Sequence, residues 1–260
     1  MSFAKLLGVV GRVPGVSSVL RFAARRYREG SVVAIRCGHG RGLLWKRSHR
    51  YVNGFWVGQY ELGMQDALAR LLKPDGVFFD VGANAGFFSL LAAARFAPRG
   101  RCVAVEPLPV NCETMREQAK LNGLQNWTIL QQAVADRPGR LAFVHSAGAV
   151  DMGHLGEVTQ GASESSFEVD VTTIDALSER FGPPSLIKLD VEGAEGRATA
   201  GAEETLRRHR PIWVMELHSA ELAEEVGTRM RAFGYTFTEV DGRPVGGGAL
   251  PHHVIALPSK

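Results

Sequence analysis

The chain has 260 residues, 45% of them apolar and 22% charged, enough for one large α/β domain or two small ones and unlike a disordered or low-complexity polymer. No run of eighteen uncharged apolar residues occurs, so no membrane span is expected, and three cysteines without CxxC spacing suggest neither a disulfide framework nor a zinc site. The net charge of +3 is uneven: Lys5, Arg12, Arg21, Arg25, Arg26 and Arg28 against Glu29 give residues 1–30 a balance of +5 and leave −2 for the rest, so no nucleic-acid-binding face is expected on the domain.

Residues 1–30 mix short apolar runs with arginines, and Pro14-Gly15 splits them. Two short helices are the preferred reading; the alternative is a basic amphipathic segment making weak contact with an anionic membrane surface. No secretory signal is read there. "SVVAIRC" and "GLLWKR" around His39-Gly40-Arg41-Gly42 predict a hairpin, so residues 1–58 read as a basic helical segment plus hairpin and 59–260 as the main domain. "YELGMQDALARLL" has apolar residues at helical spacing and stops at Pro74-Asp75-Gly76.

From Val77 on, strand and helix alternate. Strands are predicted at Val77–Val81, Cys102–Glu106, Thr128–Gln132, Leu186–Asp190 and Ile212–Leu217, with helices at 87–97, 108–122, 195–209 and 219–232. Most of these strands are short apolar runs, as expected where a parallel sheet is covered on both faces. The last two, Tyr235–Val240 and His253–Leu257, are joined only by a loop and should pair antiparallel. Between "RLAFVHS" and "FEVDVTTI" runs a polar, Gly-rich connection, and residues 145–168 are expected to line an acceptor and to be mobile. Cys102 and Cys112 fall in a strand and a helix; buried thiols fit a reducing, cytoplasmic setting.

"VFFDVGANAGFFSLL" is a strand that stops on small residues and restarts as a helix. Gly82 and Gly86 would let backbone approach a ligand, and Glu106, in "AVEP" twenty residues on, would stand at the second strand's tip, where doubly wound folds hold a ribose diol. GxGxxG is not met. The turn reads D-x-G-x-N-x-G, close to the loop of S-adenosylmethionine (SAM) enzymes, whose ligand ends in an amino acid and needs no phosphate cradle. Asp80 would then orient the methionine ammonium, directly or through water.

With "FFDVGANAGFFSLLAA", "AVEPLPVNCETMREQAKLNGL", "QQAVADRPG", "VTTIDAL", "LIKLDVEGAE" and "WVMELH" in order, the chain from about Tyr60 resembles the FkbM family of SAM-dependent O-methyltransferases. The resemblance implies a Rossmann-like α/β domain, mostly parallel with an antiparallel last strand, that methylates a hydroxyl of a small molecule, often a secondary metabolite or sugar. It puts Tyr60 and Glu61 at the cofactor's methionine end. The expected cofactor residues are thus Tyr60, Glu61, Asp80, Gly82, Ala83, Asn84, Gly86, Glu106, Pro107, Asp190 and, through backbone groups near adenine, Ala133; Asp136 reads as a turn former. An NAD-dependent oxidoreductase and a non-catalytic SAM-binding module are the alternatives.

In "IKLDVEGAE", Lys188, Asp190 and Glu192 alternate on one side of a strand end, and Glu195 opens a helix. A sulfonium is a cation and an acceptor hydroxyl must lose a proton, so carboxylates there serve both needs. "WVMELH" brings Glu216 and His218 to the next strand tip. His218 is the base expected to work near neutral pH without a large shift, Asp190 stands next, and Glu192 completes the catalytic set. No metal ligand is assigned; a divalent ion on Asp190, Glu192, Glu216 and His218 is the less favoured alternative, and the other histidines show no metal-binding spacing.

Overall fold

A computed structural model describes residues 27–51, 54–146, 153–155 and 164–259 and divides the chain into two units, Met1–Leu62 and Gly63–Lys260. The reading of residues 1–30 therefore lies almost wholly outside the described residues. In the first unit, β1 (Val32–Ala34) and β2 (Leu44–Lys46) form the expected hairpin, with Val33 opposite Trp45. Trp45 is buried with its ring 5.3 Å from that of Phe55.

The second unit is built on a seven-stranded sheet. Its strands are β3 (Val77–Val81), β4 (Arg101–Val105), β5 (Trp127–Leu130), β10 (Leu186–Leu189), β11 (Ile212–Glu216), β12 (Tyr235–Thr238) and β13 (His253–Pro258). They lie in the order β12-β13-β11-β10-β3-β4-β5. Only β13 runs against the rest, wedged between β11 and β12, so the expected antiparallel pair is present and the sheet is otherwise parallel. Helices α1 (Leu62–Leu71), α2 (Phe87–Leu91, running on as a π turn to Phe96), α3 (Pro109–Leu121), α4 (Ile174–Phe181), α5 (Glu195–Ala200) and α6 (Ala220–Ala232) connect the strands. Phe79, Val81, Val103, Ile187, Leu189, Trp213 and Met215 are buried and share one core cluster. The near-continuous apolar runs of these strands are what a covered parallel sheet requires.

A second sheet was not foreseen. Strands β6 (Ala133–Val134), β7 (Gly139–Ser146), β8 (Gly153–Leu155) and β9 (Glu164–Thr172) pair in the order β6-β9-β7-β8. The long connection expected at 145–168 is thus partly strand: β7 and β9 pair from Gly139 opposite Val171 to Ser146 opposite Glu164. Its remainder lies outside the described residues. No helix among the described residues is long and apolar enough to cross a membrane.

Candidate active site

Strands β4 and β5 step away from β3 on one side, and β10 and β11 on the other. A cleft opens where the order reverses, outside the carboxyl ends of the strands, as open α/β sheets commonly arrange their ligand sites. It is lined by Gly82 and Asn84 after β3, Glu106 and Pro107 after β4, Ala133 after β5, and Asp190 and Glu192 after β10.

The turn after β3 is tied to the protein by its own amides. Gly82 N–H and Ala83 N–H donate to the Val105 carbonyl (2.9 and 3.2 Å), and Gly86 N–H donates to the Ala83 carbonyl (2.8 Å). Asn84 N–H donates to Glu106 Oε2 (2.8 Å) and Ala85 N–H to Asn84 Oδ1 (2.6 Å). All five N–H groups are taken, so the turn offers no anion cradle. The glycines also have a reason other than the one expected from sequence. A Cβ on Gly82 would lie 1.7 Å from the Asp190 carbonyl oxygen, and one on Gly86 would lie 2.4 Å from Met115 Cγ. Both have φ near +80° (78° and 79°), and the close approach each allows is to the protein itself.

Glu106 is 5% exposed and accepts three hydrogen bonds, the one from Asn84 N–H and two at Oε1, from Leu108 N–H (3.0 Å) and Asn111 Nδ2 (3.1 Å). Burial raises its pKa while these donors work in the opposite direction. Asp80, only 1% exposed, does not line the cleft. Its Oδ2 accepts from Ser89 Oγ (2.6 Å), tying β3 to α2, while Oδ1 is buried without a hydrogen-bond partner. Burial raises the Asp80 pKa, and nearby Lys188 counters it.

Lys188, in register with Asp80 across β10 and β3, is 4% exposed and donates to Asp190 Oδ2 at 2.9 Å. The strand ends at Leu189, so Lys188, Asp190 and Glu192 do not share one strand side as the alternation suggested. Glu192 instead sits in a left-handed turn, φ 50°, followed by Gly193 at φ 101°. That turn is held by Glu195, fully buried at the start of α5, whose Oε1 accepts from Val191 N–H (3.3 Å) and Gly193 N–H (3.1 Å).

His218 ties these acids together. Its Nδ1 lies 2.8 Å from Glu195 Oε1, and its Nε2 lies 3.3 Å from Glu192, 3.7 Å from Glu216 and 3.8 Å from Asp190. The hydrogen bond to Glu195, aided by the other acids, raises the His218 pKa to about 9. The reason for choosing it as the base, a ring neutral near pH 7 without a large shift, therefore does not hold. Nor does His218 line the cleft, whereas Asp190 and Glu192 do. Burial raises the Glu192 pKa despite His218; burial also works to raise that of Glu195, but its hydrogen bond with His218 carries it below the usual value.

Sequence reasoning also missed His252 and His253. Glu216 stands opposite His253 across β11 and β13. Its two oxygens lie 2.8 Å from His252 Nε2 and 3.1 Å from His253 Nε2, and the bond with His253 holds the Glu216 pKa down to about 2. The missing signal was strand order: an antiparallel β13 beside β11 puts the start of one at the end of the other. Tyr60 and Glu61 belong to the first unit; Tyr60 packs edge-on against Phe55 (4.8 Å) and Glu61 has φ 42°. Asp136, expected as a turn former, accepts from Arg197 Nε at 2.7 Å.

Residues 80–237 match the family model described as the methyltransferase FkbM domain. The 2-O-methyltransferase NoeI of Sinorhizobium fredii is 29% identical over 200 residues, covering 70% of this chain and 79% of the relative. The 31-O-demethyl-FK506 methyltransferase FkbM of Streptomyces tacrolimicus is 30% identical over 218 residues, covering 71% of this chain and 82% of the relative. Among solved structures, the methyltransferase FkbM from Methylobacillus flagellatus is 17% identical with a TM-score of 0.49; the match covers 72% of this chain and 44% of that one, so this chain spans under half the length of that protein.

Proposed function

The chain belongs to the FkbM family of SAM-dependent methyltransferases, and on that premise we propose that it methylates a hydroxyl oxygen of a small molecule, a secondary metabolite or a sugar. The observation that carries this reading is the turn at Gly82–Gly86 with every N–H already taken. A dinucleotide would need amides there for its pyrophosphate, whereas a ligand ending in an amino acid does not. The two relatives described above, NoeI and the FkbM of Streptomyces tacrolimicus, are named for chemistry at an oxygen.

Bound in the cleft, SAM supplies a methyl group on a sulfonium, which an acceptor oxygen takes as the C–S bond breaks, releasing S-adenosylhomocysteine and one proton. Holding the two reactants collinear is the larger part of the rate gain. Glu106 has room for one more donor beside its three protein partners, and a ribose hydroxyl fits. Asp190 and Glu192 in the cleft wall attract the sulfonium, and one of them receives the acceptor's proton. His218 and Lys188 keep that pair in position. Buried Asp80 holds β3 to α2 behind the turn through Ser89, and its role at the methionine end rests on family resemblance. Ala83 and Gly86 shape the turn, Pro107 and Ala133 flank adenine, and the roles of Tyr60 and Glu61 rest on family resemblance alone. Residues 59–260 form the methyltransferase domain in this reading, with 1–58 as an extension.

A thermal-shift comparison tests it. Ligand at a hundred times its dissociation constant adds about 2.7 kcal/mol, which for a chain of this size raises Tm by roughly 5–10 °C. SAM and S-adenosylhomocysteine should do this and NAD should not; a shift with NAD alone would refute the reading.

A further inference from the structure

We infer that Glu216, His252 and His253 form a binding site for a first-row divalent cation, Zn²⁺ foremost, one strand beyond the Asp190 and Glu192 wall of the cleft. Their ligand atoms lie within 4.8 Å of one another. Four side-chain atoms converge in two close contacts, Glu216 Oε1 to His252 Nε2 at 2.8 Å and Glu216 Oε2 to His253 Nε2 at 3.1 Å.

The orientation of His252 is informative. Its Nδ1 lies 2.8 Å from the Leu217 carbonyl oxygen, which can only accept, so Nδ1 carries the hydrogen. Its Nε2 is then turned toward Glu216 Oε1, 2.8 Å away, so both atoms are presented to an ion bound between them. A backbone carbonyl that fixes the tautomer of a ring so that its other nitrogen faces outward is the usual outer support of a metal-binding histidine. His253 is anchored independently, by its pairing opposite Glu216 on β13.

The surroundings are rich in carboxylates. Asp190, Glu192, Glu195 and Glu216 gather around His218, and Lys188 is the lysine that pairs with this group. The neighbouring set Asp190, Glu192 and His218 satisfies the same distance limit, but two of its members line the cleft, where the proposed ligand brings its own positive charge. The Glu216 set lies one strand further out, and the His252 ring stands 5.6 Å from that of His218. Ligand atoms held at about 2.1 Å in a tetrahedral site stand about 3.4 Å apart, so both contacts need to open by well under about 1 Å. Two imidazoles and one carboxylate select a borderline transition ion over Mg²⁺ or Ca²⁺. Three protein ligands leave a coordination position open, and the more than half-exposed His252 (55%) marks the open side. Resting on the methyltransferase reading, that position is where an acceptor oxygen would bind and become more acidic.

The test uses the full-length chain without a histidine tag, stripped with EDTA and titrated with Co²⁺ alone, read by visible absorption. One equivalent should give a band of tetrahedral or five-coordinate Co²⁺, and His252→Ala and His253→Ala should each weaken binding at least about a hundred-fold. Asp190→Asn should leave it within a few-fold. S-adenosylhomocysteine binding, measured by calorimetry on the same samples, should persist in both histidine variants and so report that they are folded. No band in the parent, or a band unchanged in both histidine variants, overturns the site; loss in Asp190→Asn alone moves the cation to the neighbouring set and also overturns it. A histidine-dependent band in a protein that binds no S-adenosylhomocysteine supports the cation site and refutes the methyltransferase reading instead.

Discussion

Glu106→Gln separates the two jobs that the structure gives this side chain. The carboxylate has about four acceptor positions, and Asn84, Leu108 and Asn111 occupy three. One is left for a ligand hydroxyl, and a hydrogen bond to a charged acceptor is worth about 1.5–3 kcal/mol, or roughly ten- to a hundred-fold in affinity. Glutamine keeps one oxygen and replaces the other with a donor. The arrangement that loses least keeps oxygen toward Leu108 and Asn111 and turns the amide NH₂ toward Asn84 N–H, which is then left without its partner. Global stability should fall by about 1–3 kcal/mol on this account alone, so weaker cofactor binding would not by itself identify a ribose contact. Calorimetry with S-adenosylhomocysteine and its 2′,3′-dideoxy analogue makes the distinction. In the parent the dideoxy ligand should bind ten- to a hundred-fold more weakly, by the magnitude above, whereas in Glu106→Gln the two ligands should agree within about twofold, the scatter expected of uncoupled changes. An equal dideoxy penalty in both proteins would show that Glu106 serves only to hold the turn.

Gly82→Ala should destabilise by more than about 2 kcal/mol, because left-handed backbone costs about 1–2 kcal/mol and the new Cβ meets the Asp190 carbonyl, while Gly123→Ala, at φ 65° with open space around it, should cost only the backbone part; equal losses in urea denaturation would refute the packing account. Lys188→Met removes the buried cation that pairs with half-buried Asp190 and offsets buried Asp80, and should cost about 3–5 kcal/mol, read in the same assay, with a loss under about 1 kcal/mol counting against it. Cys112 is buried and its pKa is pushed up to about 12 by burial, so at pH 8 only about one in ten thousand is thiolate. A thiol reagent on the folded protein should then react quickly with Cys37 alone, and fast labelling of all three cysteines would contradict the burial of Cys102 and Cys112.

The sheet was legible because its strands carry a simple signal. Val77–Val81 is found as read, and Leu186–Leu189 and Ile212–Glu216 each end one residue early, since an apolar run between turn residues has one favourable use in a covered parallel sheet. Glu106 stands after β4 at the cleft, a position legible from spacing along one strand and turn. Glu192 was misplaced for a local reason: period-two alternation says which side a residue faces only while the strand continues, and here it stops at Leu189. The second sheet was missed because β7 and β9 flank a polar, Gly-rich stretch, and their pairing is a long-range fact that composition does not carry.

The cluster of acids and histidines was hardest to read, because its residues meet only through tertiary pairing. Glu216 and His253 are neighbours by the register of β11 on β13, and His218 reaches Glu195 across the carboxyl ends of two strands. Each contact involves a group whose behaviour depends on the partner it finds: His218 looked like a base by residue type, and the hydrogen bond to Glu195, with Glu192 and Asp190 beside it, raises its pKa to about 9. Those acids in turn are tolerable only because Lys188 and that ring lie among them, since unpaired carboxylates at a sheet end would be costly. A site for a cationic methyl donor can keep such an excess of negative charge at its wall, because the ligand completes the balance when it binds. The same reasoning accounts for the division within the site, where acids without histidine excess face the cleft and the histidine-rich set on Glu216 stands one strand beyond it.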